Sequence, residues 1–342
     1  MCAIAHTRGG AFHPPDGASA RSSFAPMDEL EKKPRSRAAL ALAALLALMA
    51  GPGTVSAQVQ AKYLYGLSSF TGTVPYDWAR VSVDEERGET YVIYRNIVRI
   101  FNRSGMETFS FGDDLDLGLL ADVAVDGRGD IILLSHKDSR PVLTRCSFRG
   151  VPIGPFEIEG LPASLAFGAN RMIFRNGRFY FASLGRGTVI VTDAGGKFLD
   201  HIDLFALVEA DARQKVGAEM FGFSVDGQGN IFFSVPVLFK VFKLSPDKQL
   251  ASFGRPGAVA GRFGIVAGVV ADSRGHVIVA VKLKCVIMVF DKDFNFLTEF
   301  GMRGLRPENL IVPDEVAIDK EDRIYVTQGR KRGVSVFALA SE

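Results

Sequence analysis

Cysteine, histidine and tryptophan are scarce in this sequence of 342 residues, at three, five and one. So few thiol and imidazole groups leave little for a metal centre or a nucleophile with its base, both of which need several such groups to converge. No Cys-x-x-Cys-His occurs, which excludes covalently attached haem. An apolar run able to cross a bilayer is also missing. The stretch "AALALAALLALMA" (38–50) has 13 residues against the about 20 that a spanning helix needs, and Gly51 with Pro52 ends it. Charge of one sign is lacking too, with 40 Lys and Arg against 38 Asp and Glu.

What is present begins with an N-terminal export pattern. A basic segment "EKKPRSR" (31–37), the apolar run and the small-residue stretch "GPGTVSA" (51–57) follow in the order of a secretory signal, with cleavage expected after Ala57. Met27 makes a more ordinary start for such a signal than Met1. The expected division is therefore a leader and signal over residues 1–57 and a folded domain over 58–342. Residues 1–57 hold six Lys/Arg and four Asp/Glu, so 34 of each sign remain and the processed chain is neutral. A neutral chain is a poor candidate for nucleic acid, whose binding is dominated by phosphate neutralisation, and no nucleic acid partner is expected. The basic clusters "KLK" (282–284) and "GRKRG" (329–333) are read as solvated loops.

A repeated phrase organises the domain. "AVDGRGDIILLS" (124–135), "SVDGQGNIFFS" (224–234) and "VADSRGHVIVAV" (270–281) each place an Asp-x-x-Gly turn between two apolar strands. The Asp side chain bonds its own backbone and the Gly takes a positive φ, which closes a hairpin. Aligning the apolar residue before each turn gives Val83, Val125, Phe174, Val225, Ala271 and Ile318, with spacings of 42 to 51 residues. That period matches a four-stranded propeller blade. Blade three replaces the turn by the Asn-Gly hairpin of "FRNGRFYF" (174–181). The fold class expected is all-β, a six-bladed β-propeller. The last unit lacks an outer strand, and "KYLYGLSSFTG" (62–72) is expected to supply it and close the ring. A short helix is expected over 203–217, and a long strand pair with loops over 136–165.

The units "SFGRPGAVAGRFGIVAGVVADSRGHVIVAV" (252–281) and "EFGMRGLRPENLIVPDEVAIDKEDRIYVT" (299–327) resemble NHL repeats, with Phe-Gly, a Gly-rich connector, then strand, Asp turn and strand. The resemblance implies a six-bladed ring used mostly for binding, with a minority of enzymes. It is weakest in blades one and three.

The calcium reading of "DGRGD" (126–130) fails because one hairpin supplies too few oxygens. "GFSVD" (222–226) lacks the final Gly of a nucleophile elbow and lies within a repeat. His276 flanks the blade-five turn, and His136 and His201 are expected in separate loops of blades two and three, so no metal and no cofactor is expected. Cys146 and Cys285 belong to opposite blades, too far apart for a bridge, and should be free buried thiols. One register carries charge: three residues before the last apolar position of each inner strand stand Arg80, Asp122, Arg171, Gly222, Gly268 and Glu315. Asn170 is the alternative to Arg171. Trp78 and Asp314 lie beside this set. It is either a salt-bridge belt tying blades together or a polar half-ring with a glycine-lined recess that receives a ligand or a partner's loop. No catalytic residue is assigned. The expected function is an exported, monomeric, non-catalytic binding module for a protein partner, using the loops at 203–217, 255–268 and 302–314. The alternative is a lyase or lactonase-like hydrolase with Arg80, Asp122 and Glu315 as charge stabiliser and acid/base. A small molecule or carbohydrate is the other partner class, the latter with Trp78, Tyr76 and Phe263 for stacking.

Overall fold

The structure is a computed structural model that describes residues 59–113, 116–209 and 217–341. The leader and the cleavage site after Ala57 lie outside the described residues. Among them no helix is long and apolar enough to cross a membrane.

Six four-stranded antiparallel sheets follow one another along the chain. Their inner strands are Arg80–Asp84, Leu119–Val125, Arg171–Arg175, Phe223–Val225, Val266–Ala271 and Pro313–Ile318. Each packs on the next, and the sixth packs on the first, so the ring is closed. Each blade alternates apolar side chains across its two faces, and neighbouring faces bury them between blades. Phe232, Val269, Val279 and Met288 form one such layer, and Ile278, Ile287, Val326 and Phe337 the next.

The repeated turn has one local cause. In blade two the Asp126 carboxylate accepts from the backbone amides of Arg128, Gly129 and Asp130 at 2.9–3.0 Å. Asp226, Asp272 and Asp319 repeat the arrangement in blades four, five and six. The positive φ falls on Gly129 in blade two but on Asp322 in blade six, where no glycine stands. Blade three's Asn176 and Gly177 have φ of 52° and 71°, the two left-handed residues of a type I′ turn.

Ring closure follows the expected route. Val59–Gly66 pairs with Val334–Ser341, from Val59 opposite Ser341 to Gly66 opposite Ser335, and completes the sixth sheet. Cys146 and Cys285 are buried and free. One expectation falls partly on residues 210–216, outside the described residues, and one needs correction. Between 203 and 217 only Leu204–Leu207 is helical among the described residues, capped by Asp203, whose carboxylate accepts from Ala206 at 2.9 Å. Val208 then turns extended and buries its side chain against Leu204 and Met220, which ends the helix. The 136–165 insertion is not one long pair. Its hairpin starts earlier, pairing Ile131–Lys137 with Arg140–Cys146, and Pro152–Pro155 forms the outer strand.

Candidate functional site

The belt register meets at the axis. Glu315 from blade six pairs with Arg80 of blade one and, at 3.1 Å, with Arg171 of blade three, directly across the ring. Arg171 also lies 3.4 Å from Asp122 of blade two. The carboxylates are further committed to backbone. Asp122 accepts from Val123 at 2.9 Å and Met172 at 2.7 Å, and Glu315 accepts from Val81 at 3.2 Å. Asp122, Arg171 and Glu315 are buried. Burial, and then the neighbouring Arg171 cation, lower the Arg80 guanidinium to about 10. Arg171 holds the belt position in blade three, while Asn170 faces the neighbouring loop and accepts from Leu184 at 3.0 Å. Two guanidiniums and two carboxylates balance, so the channel is crossed by a neutral ionic knot.

The glycine-lined recess is not present. A Cβ on Gly222 would lie 2.4 Å from the Ala267 carbonyl oxygen, and one on Gly268 2.5 Å from the Val316 nitrogen. These glycines let the inner strands of blades four, five and six press backbone to backbone, and neighbouring strands fill the space a ligand would need. Tyr76 and Phe263 are fully buried, so a stacking platform with Trp78 does not form either.

Between the knot and the hairpin turns lies a channel cavity of about 290 Å³. Asp122, Arg171, Ser224, Glu85 and Arg175 are among its lining. Arg175 pairs with Glu85 of blade one and donates to the Val225 carbonyl at 3.2 Å, joining blades three, one and four at the turn end. Sequence reasoning missed this cavity because it looked at the end where inner strands begin.

That other end carries a second cluster. Lys282 Nζ lies 2.6 Å from Asp314, 5.1 Å from the centre of the Trp78 ring and 4.9 Å from that of Phe221. The "KLK" segment is therefore not a solvated loop: Lys282 is held by two rings and a carboxylate, and Lys284 pairs with Glu299 at 2.9 Å. Phe221 was passed over, and the signal that could have found it is that it precedes Gly222 as Asp314 precedes Glu315. Around this cluster the connecting loops expose large apolar side chains. Leu283, Val259, Met302 and Leu305 are 65–82% exposed. Lys284 joins the loop of Leu283 to that of Val259 by donating to the Val259 carbonyl at 3.1 Å, and Arg332 donates to the Leu305 carbonyl at 3.2 Å. His276 lies away from both ends of the knot, its Nδ1 2.8 Å from Asp272 in the blade-five turn.

No protein-family model and no curated protein matches the sequence. Solved structures share the architecture. Virginiamycin B lyase from Staphylococcus aureus superposes with a TM-score of 0.53 at 10% identity, over 83% of this chain and 100% of that one. A gluconolactonase from Xanthomonas campestris gives 0.54 at 15% identity, over 85% and 94%. An auxiliary nutrient binding protein from Bacteroides ovatus gives 0.54 at 12% identity, over 84% and 78%. The chain is thus a six-bladed β-propeller whose structural neighbours include lyase, lactonase and nutrient-binding proteins. Identities this low establish the fold alone.

Proposed function

We propose that this propeller is an exported, non-catalytic binding module that docks a protein partner on the face where its inner strands begin. The observation that carries the reading is the set of exposed apolar side chains at that face on the loops of blades five and six, Leu283, Val259, Met302 and Leu305. Large apolar side chains exposed together on one face mark interaction surfaces. The knot supports the non-catalytic part. Asp122 and Glu315 already accept from backbone amides and guanidiniums, which leaves them poorly placed to exchange protons with a substrate. The signal-like leader with cleavage after Ala57 supports export, and the NHL-like repeats support a binding role.

Photo-crosslinking in the native host tests this. A photoreactive residue at Leu283 or Leu305 is expected to trap one discrete protein. The same residue at Phe148 or Ile153, which are also exposed, should trap none. Equal labelling from both sets, or none from the first, would remove the docking reading. The rival reading is a hydrolase or lyase working from the 290 Å³ channel cavity. Turnover of a lactone or ester panel that disappears in Asp122→Asn with the fold intact would establish it instead.

A further inference from the structure

The cluster above the knot has the composition of an aromatic cation cage. Its walls come from three blades, Trp78 from one, Phe221 from four and Asp314 from six, and Lys282 from blade five fills it. Both rings lie within the about 6 Å at which a cation is attracted to an aromatic face. Lys282 places its ammonium, not only its aliphatic stem, against them. A lysine that merely covered apolar surface would bury the stem and carry the charge out to water. The side chain of Lys282 is 17% exposed, whereas Trp78 is half exposed, so the wall is open to solvent while its occupant is not.

Building this wall is costly. Trp78 holds a φ of 57°, a left-handed conformation unfavourable for a residue with a Cβ. Gly329 lies so close to the indole that a Cβ there would approach Cζ2 to 3.0 Å.

We propose that Trp78, Phe221 and Asp314 form a binding site for an alkylammonium cation, and that Lys282 occupies it until such a cation replaces it. The exchange is one ammonium for another, so Asp314 is never left without a counter-charge. Lysine has a flexible four-carbon stem and can swing into solvent without moving the backbone. The site goes beyond the docking reading and does not depend on it.

Trp78 is the only tryptophan in the chain, so its fluorescence reports the cage alone. Choline is titrated against 3,3-dimethylbutan-1-ol, its uncharged isostere, with wild type and Lys282→Ala. Lys282→Ala is expected to show a saturable emission change with choline at least about tenfold tighter than with the alcohol. Wild type is expected to bind choline about tenfold more weakly than the variant, because its own lysine competes. Adding Asp314→Asn or Phe221→Ala to Lys282→Ala should weaken choline several-fold. A peptide carrying trimethyllysine separates two sources of the cation. Tighter binding than choline points to a side chain of a macromolecule, and equal binding to a free small molecule. Should Lys282→Ala fail to fold, Lys282→Gln carries the same titration. Equal responses to choline and the alcohol, or none to either in a folded variant, would overturn the proposal.

Discussion

Replacing Glu315 by alanine should weaken the fold by about 3 kcal/mol. The side chain stands between Arg80 and Arg171 and accepts from the Val81 amide at 3.2 Å. Removing one partner of a buried ion pair costs about 3–5 kcal/mol, since the other charge is left uncompensated. Arg80 keeps 29% of its side chain exposed, so its share is reduced by solvent. Asp122 remains near Arg171 and offsets part of the loss, while the orphaned Val81 amide adds about 1 kcal/mol or more. Urea unfolding followed by far-ultraviolet circular dichroism measures the sum. A double-mutant cycle with Arg171→Met isolates the contact that crosses the ring, with an expected coupling of about 1–3 kcal/mol. If Glu315→Ala costs less than about 1 kcal/mol, or the cycle shows no coupling, the ionic knot does not tie the blades and the reasoning fails.

Gly268→Ala should lower the melting temperature by several degrees. The new Cβ meets Val316, Asp314 and Glu315 backbone atoms at 2.5–2.9 Å, and overpacking of about 1–3 kcal/mol exceeds the gain from a less flexible unfolded chain. Gly185→Ala, with nothing within 4 Å, serves as the neutral control in the same melts. Tyr76→Phe should stabilise by about 1 kcal/mol, because the buried hydroxyl finds no hydrogen-bond partner among the described residues while the ring keeps its edge contacts with Tyr94 and Phe101. A lower melting temperature would show the hydroxyl to be satisfied. Burial pushes the Cys146 thiol up to about 11. Its contribution is complete below the ordinary thiol range near 8.5 and is lost as pH rises toward 11, so Cys146→Ala should flatten the alkaline decline in stability measured by urea melts.

Much of the fold was legible because its repeat rests on local chemistry. An Asp that captures the next amides produces the same hairpin wherever it falls, and five such turns with the Asn-Gly hairpin of blade three fix the count at six. Ring closure was legible from need: a sixth sheet short of one strand and an unpartnered extended segment have one economical solution. The belt was legible as a register, since Arg80, Asp122, Arg171 and Glu315 hold equivalent positions, and the alternation of sign foretold pairing. The role of Gly222 and Gly268 was not. An absent side chain reads equally as open space or as close contact, and only the separation of neighbouring strands decides. Lys282 escaped for a related reason. Its neighbours in sequence are another lysine and an exposed leucine, which read as a solvated loop, while its neighbours in space come from residues 78, 221 and 314. Contacts across blades follow from the ring order, which no local pattern records.

The latch between Val59–Gly66 and Val334–Ser341 also governs how the molecule would respond to force. Residues 59 and 341 are register partners, with α-carbons roughly 5 Å apart. Pulled from those two points, the pair would open like a zipper, one hydrogen bond at a time, so tension at its ends would undo the ring at low load. In a chain trimmed to residues 59–341, a short peptide spliced across the same gap would give a covalent circle, and a new break in an exposed loop elsewhere would give a permuted propeller with its weakest seam in a different sheet.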